Sequence, residues 1–248
     1  MKIAIAISLL GLSAGIVQAG IILDDSASSL QAVSSSQFSF SGFDATGSDK
    51  LVVTVAAEGN GGNRTVDWIQ YNGVALTEAV NYVNTAGYQS VALFYLDNPT
   101  SAGDVVVDWS GMVNGVGIGV YALSGTAAGH EAANAVDGSS VSLTTLSDNA
   151  FVASVFVANG GTDPNADSPL TQLYGAPGST DIGSADSAAG YVLDAGVAGA
   201  GSYSFSGFSG SRPTSGAVSF AAIPEPATLG LLGVCGGAML FIRRRCRS

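Results

Sequence analysis

The sequence predicts an all-β fold: one antiparallel β-sandwich or jelly-roll domain over residues 20–222, between an N-terminal signal helix and a C-terminal membrane helix. Three observations predict it. No stretch between Gly20 and Ile223 sustains a helical period; short alternating runs recur instead, broken by Gly, Asn, Asp and Ser. The two apolar runs of membrane-like character stand only at the ends, at 3–17 and 227–242. Both cysteines, Cys235 and Cys246, lie in the last segment, so the middle has neither disulfide nor thiol chemistry and rests on burial and backbone hydrogen bonds.

The N-terminus reads Met1-Lys2, then an uncharged apolar run from Ile3 to Val17, then Val17-Gln18-Ala19 before Gly20. A basic start, a short apolar stretch and small residues at the recognition positions are the parts of a secretory signal peptide. The run is short for a membrane span, which needs about 20 apolar residues. Residues 1–19 are therefore expected to be removed by signal peptidase after Ala19.

Strands are expected where alternation is clearest: Leu51–Ala56, Asp104–Ser110, Gly117–Leu123, Phe151–Val157, Ser202–Ser206 and Ala217–Ala221. Phe151–Val157 is apolar enough to be covered on both faces. Asn72-Gly73 between apolar neighbours predicts a two-residue turn joining Val66–Tyr71 to Val74–Val80 as a hairpin. Gly59–Asn63 reads as a polar loop, and Asp97–Gly103 as a turn between strands. Such runs number about ten to twelve, the spacing of a sandwich or jelly roll.

The middle carries Lys50, Arg64 and Arg212 against 18 acids, a net charge of −15. That field repels phosphate backbones and argues against nucleic acid as a partner. It favours cations, and it also suits the plain role of keeping an exported domain soluble.

After the middle come Ile223-Pro224-Glu225-Pro226, the apolar stretch 227–242, and Arg243-Arg244-Arg245-Cys246-Arg247-Ser248. Pro224 and Pro226 keep helix and central strand out of the junction. Sixteen apolar residues make about 24 Å of helix, short of a bilayer core of about 30 Å unless the flanking arginines extend it by snorkelling. Arg243, Arg244, Arg245 and Arg247 hold the end on the cytoplasmic side. The tail 223–248 resembles the PEP-CTERM sorting domain: a Pro-Glu-Pro motif, a short membrane helix and an Arg-rich end, in that order. The resemblance implies transient anchorage in a bacterial inner membrane, cleavage near Pro224, Glu225 and Pro226 by an exosortase-type membrane protease, and release to the cell surface or an exopolysaccharide matrix. The stretch from Val66 to Thr126 also resembles a β-sandwich domain of secreted bacterial proteins. That likeness rests on Tyr71-Asn72-Gly73-Val74-Ala75-Leu76-Thr77, Val91–Leu96 before Asn98-Pro99, Trp109-Ser110-Gly111 and Ala122-Leu123-Ser124-Gly125. It implies fold and no activity.

For nucleophilic catalysis the chain offers one histidine, His130, in the loop Gly129-His130-Glu131-Ala132. A Gly-x-Ser-x-Gly pattern at 11–15 falls inside the signal peptide. Paired carboxylates could hydrolyse a glycoside without histidine, but nothing selects a pair from 18 acids. Asp163, Asn165 and Asp167 place oxygen ligands at alternating positions, a pattern that suits Ca²⁺. Ser168 stands where a calcium loop needs Gly and Tyr174 where it needs Glu, so a polar turn explains the same residues. Asp24-Asp25 is a still shorter acidic pair. Sugar stacking needs exposed aromatic rings, and Trp68, Tyr71, Tyr82, Tyr88 and Trp109 are available; the tryptophans fall within strands, where core packing is the default. Tyr82 and Tyr88 flank the loop Asn84-Thr85-Ala86-Gly87 and are the glycan-contact candidates. The expectation is a non-catalytic exported protein of the surface or extracellular matrix, in contact with polysaccharide. The alternatives are a dedicated carbohydrate-binding module and, behind it, a carboxylate-dependent glycoside hydrolase.

Overall fold

A computed structural model describes residues 20–59, 62–160, 163–175 and 181–223, and Gly20–Ile223 form one compact unit. The expected signal helix and membrane helix lie outside the described residues. Among the described residues there are seventeen strands and no helix. In chain order they are β1 (Ile22–Gln31), β2 (Ser35–Phe43), β3 (Lys50–Gly59), β4 (Val66–Tyr71), β5 (Val74–Ala75), β6 (Thr77–Val83), β7 (Gln89–Asp97), β8 (Gly103–Ser124) and β9 (Ala132–Asp137). There follow β10 (Ser140–Thr145), β11 (Phe151–Asn159), β12 (Asn165–Ala166), β13 (Thr171–Tyr174), β14 (Asp181–Ile182), β15 (Ala185–Val192), β16 (Gly199–Ser206) and β17 (Ser211–Phe220). Their pairings are antiparallel throughout.

The architecture follows from β8. Its 22 residues would run about 73 Å if straight, at about 3.3 Å per residue. A unit of this size has a radius of gyration of about 17 Å, so the strand must fold over. It does so around Gly111–Gly115, where its burial pattern changes character. Val105, Val107 and Trp109 point inward while their neighbours face out; from Gly115 to Leu123 every residue is buried. One half therefore belongs to an outer layer and the other to an inner one. β1 and β2 run successively along one edge of β8, and β3 and β4 along the other, so the whole ribbon folds with it.

Three apolar clusters then separate four stacked layers. The first cluster joins Val105, Val107 and Trp109 of β8, Ile69 and Tyr71 of β4 and Phe38 of β2 to Leu51, Val53 and Val55 of β3 and Phe94 of β7. The second lies on the opposite face of the β3–β7–β8 layer. There Val52, Ala56, Leu93, Tyr95 and Tyr121 meet Phe151, Val155, Ala189, Val218 and Phe220 of the sheet ordered β13-β15-β11-β17-β9. The third packs the far face of that sheet, through Val152, Phe156 and Ala217, on Val141, Leu143, Tyr203 and Phe205 of the sheet β10-β16-β12. The central strands of the two middle layers, β3 and β11, are buried on both faces and read as continuous apolar runs, whereas outer β10 alternates strictly. The glycines of Gly117-Ile118-Gly119 also find their reason here: a Cβ on Gly117 would stand 2.7 Å from Tyr174 Oη, and one on Gly119 2.9 Å from Leu173. They admit the side chains of β13.

Two expectations change on contact with this packing. The runs 104–110 and 117–123 are one strand, because the Gly- and Asn-containing segment between them is a corner within β8 and not a loop. The Asn-Gly turn is present, with φ of 48° at Asn72 and 79° at Gly73, but its returning arm β5 is two residues long. Leu76 turns into the first cluster, and β6 leaves β4 to pair with β7 in the next layer.

The third cluster gives a direct test. Phe156 is fully buried between Phe205 at 5.3 Å and Phe208 at 4.8 Å, centroid to centroid. Phe156→Ala is expected to lower the free energy of unfolding by about 3–5 kcal/mol, whereas Leu146→Ala, on an exposed turn, shifts it by less than about 0.5 kcal/mol. Urea denaturation of the two variants measures the contrast.

Candidate functional site

The long strands give the unit two poles. Lys50, Asp97, Phe151 and Phe220 end β3, β7, β11 and β17 at one; Gly59, Gln89, Asn159 and Ser211 end the same strands at the other. Both ends of the unit lie at the first. A Cβ on Gly125 would stand 2.8 Å from the Gly20 carbonyl oxygen, and the Ile223 N–H donates to the Gly125 carbonyl at 2.8 Å. This is the exit pole.

The opposite pole carries an open cleft of about 220 Å³ lined by Asn84, Thr85, Ala86, Asp137, Gly138, Arg212 and Pro213. The β6–β7 loop supplies one wall. Asn84 is buried and ties the loop's base, its Nδ2 donating to Gln89 Oε1 at 2.9 Å and its Oδ1 accepting from the Tyr88 N–H at 3.0 Å. Asp137, the last residue of β9, fastens the loop from across the cleft. Its carboxylate accepts from the Thr85 N–H at 3.1 Å, the Thr85 hydroxyl at 2.5 Å and the Tyr82 hydroxyl at 3.0 Å. Burial pushes the Asp137 carboxyl up, but the Thr85 and Tyr82 hydrogen bonds outweigh it and hold the group below the ordinary carboxylate value. The Tyr82 phenol is raised, by burial first and then by its bond to Asp137.

Arg212 forms the other wall. It is the exposed member of the three basic residues in the unit: Lys50 is buried and Arg64 is half-buried. Its guanidinium lies 4.1 Å from the centroid of the Tyr88 ring, a stacked cation–π pair. Its backbone has φ of 56°. The other non-glycine residues in that region, Asn72, Asn98 and Asn149, are of the type that tolerates it; Arg212 is held there by its surroundings, at a bulge where Asn159 meets Ser211. Backbone strain kept at one residue on the rim of a cleft is the pattern that functional positions show. Tyr88, 38 % exposed, keeps part of its ring available.

Both glycan-contact candidates, Tyr82 and Tyr88, therefore stand beside the cleft. The remaining aromatics divide otherwise. Tyr71 and Trp109 are buried in the first cluster, Tyr71 donating to the Phe43 carbonyl at 2.9 Å, so neither can meet a sugar; Trp68 is half-buried. Asp163, Asn165 and Asp167 sit around β12. The Asp167 carboxylate accepts from the Ser204 and Ser206 hydroxyls at 2.9 and 2.5 Å, and Asn165 Nδ2 donates to the Asp163 carbonyl at 3.3 Å. Among the described residues no group of three or more His, Cys, Asp or Glu side chains is close enough to hold a metal. Asp24 accepts from the Ser48 and Ser124 hydroxyls, each at 2.6 Å. His130 is exposed with its ring 5.5 Å from that of Tyr95. Pro224, Glu225, Pro226 and the four tail arginines lie outside the described residues. Sequence reasoning missed Asp137 and Arg212. Arg212 had a signal, being a lone cation in the Gly- and Ser-rich run Ser209-Gly210-Ser211 before Pro213.

No protein-family model, curated protein or solved structure matches this chain.

Because the Asp137 carboxyl is lowered, its grip on Thr85 is complete above the ordinary aspartate value of about 3.9 and is lost as pH falls through its own, lower value. The Thr85 amide resonance is expected to titrate with a midpoint below that ordinary value, and in Asp137→Ala the same amide should exchange with solvent faster at neutral pH.

Proposed function

We propose that this chain is an exported, non-catalytic β-sandwich protein of the cell surface or extracellular matrix whose cleft pole contacts polysaccharide. The observation that carries the reading is the Tyr88–Arg212 stack beside the Asp137 cleft. An aromatic face offers a platform to a sugar ring, while a guanidinium and a carboxylate on either side offer a donor and an acceptor to its hydroxyls. The cleft lies at the pole opposite Gly20 and Ile223. The signal-peptide pattern at 1–19 and the PEP-CTERM-like tail at 223–248 supply the route: signal peptidase, passage through the inner membrane, then an exosortase-type protease at Pro224-Glu225-Pro226. A dedicated carbohydrate-binding module is the same geometry at higher affinity, and the cleft favours it as the second reading.

Two measurements bear on this. On an array of bacterial polysaccharides the purified protein is expected to bind at least one member, with Tyr88→Ala and Arg212→Ala each weakening it about tenfold or more and Leu146→Ala, at the exit pole, leaving it unchanged. Absence of binding, or binding indifferent to both cleft variants, removes the cleft from the function. Mass spectrometry of the mature protein after cell fractionation should find Gly20 as the first residue, the tail gone, and the protein in the surface or medium fraction; full-length chain in the cytosol contradicts the export route.

A further inference from the structure

The exit pole holds a second constellation, unrelated to the cleft. Lys50, the first residue of β3, is directly paired in register with Asp97, the last residue of β7. The lysine is fully buried, and its Nζ is in direct contact with Asp97 Oδ1. Two aromatic rings enclose the amine, Tyr95 at 4.9 Å and Phe220 at 5.0 Å from Nζ to centroid. Gly129 grips the pair from the β8–β9 connection: its carbonyl accepts from Lys50 Nζ at 2.9 Å and its N–H donates to Asp97 Oδ2 at 3.0 Å. Two residues further on, Glu131 has both carboxylate oxygens buried with no hydrogen-bond partner among the described residues. Beside Asp97 a cavity of about 320 Å³, lined also by Asp49 and Thr126, lies next to the pair.

An ordinary stabilising ion pair does not need this arrangement. Burying an ammonium away from water disfavours its charge, and desolvation is the largest influence on Lys50, lowering its pKa against the opposing pull of Asp97 and Asp49. A desolvated lysine is the form in which the amine becomes nucleophilic. The carbon it faces is a carboxyl carbon, with a backbone donor already on the oxygen that takes negative charge when that carbon is attacked.

We propose that Lys50 and Asp97 condense spontaneously to an intramolecular amide that covalently joins β3 to β7. A proton passes from the ammonium to the carboxylate, the neutral amine attacks Cγ, and the Nζ–Cγ bond forms. The Cγ–O bond then breaks, and that oxygen leaves as water carrying the carboxyl proton and one amine proton. Ammonium and carboxylate become amide and water; nothing is oxidised and no co-reactant is consumed. The Gly129 N–H holds the oxyanion, the Gly129 carbonyl aims the amine, and the cavity beside Asp97 receives the water.

The test is peptide mapping of the purified full chain after denaturation and trypsin digestion. Lys50 and Arg64 are the cleavable sites on either side of the junction, since Arg212 precedes a proline. The bond is expected to block cleavage after Lys50. The peptide ending at Arg64 should then appear joined to the one that begins at Thr65 and carries Asp97, one water lighter than their sum. Lys50→Arg and Asp97→Ala should each be cut after residue 50 and give no joined species. The outcome does not depend on whether these variants fold, because the unsubstituted chain decides it: free cleavage after Lys50 with no joined species overturns the proposal.

Discussion

Everything in this fold depends on one strand lying in two layers. β8 leaves the outer layer at Gly111 and enters the inner one by Gly115, and the neighbours on both of its edges follow. That fold-over creates the first apolar cluster, turns the other face of β3 and β7 outward, and so offers a second surface for β11, β15 and β17 to cover. Without the corner, a ribbon of this length would have one buried face and no place to stack the second half of the chain. The need for close approach then falls on Gly117 and Gly119, which face the inner sheet where Tyr174 must fit. Apolar burial in middle layers comes from both sides at once, which is why these strands carry so few polar residues.

The strands legible in the sequence are those whose period is local; β1, β2, β9, β10, β13 and β15 were not singled out, and seventeen strands stand where ten to twelve were expected. Phe151–Val157 reads as a strand covered twice, and it is; Asn72-Gly73 reads as a tight turn, and its dihedral angles agree. What was not legible was long-range. Nothing in Gly111-Met112-Val113-Asn114-Gly115 distinguishes a corner from a loop, since both need small residues and a bend. Nor does Leu76 announce that the chain will cross from one layer to the next, because its destination is a cavity made by residues far away in sequence. The cleft shows the same division. Tyr82 and Tyr88 stood out by flanking a loop; Asp137 and Arg212 reach them across 52 positions or more, and only the packing of β9 and β17 on β6 and β7 brings them there.

The buried lysine belongs to this second class. Lys50 reads in sequence as the polar start of an apolar strand, an unremarkable place for a charge. In the fold it is wholly enclosed, in a unit that carries no cysteine. A unit without disulfides must find its resistance to unfolding elsewhere, and three stacked cores supply much of it. A covalent tie between Lys50 and Asp97, 47 positions apart, acts on the unfolded chain as a disulfide of that span does, worth about 4 kcal/mol by loop-closure entropy. Its placement matters as much as its size, because Gly129 and the aromatic pair of Tyr95 and Phe220 connect it to the junction between the two central layers.

The cleft's Arg212 and the exit residue Ile223 lie just inside and just beyond the two ends of β17. A pull applied between these two residues therefore runs lengthwise down that single strand. Its hydrogen bonds to β11 on one side and β9 on the other are loaded together, in shear, and none can part before the rest. A strand peeled from an edge opens one bond at a time; this one is gripped on both flanks. A pull along the axis that joins the two poles therefore meets both ladders of that strand side by side.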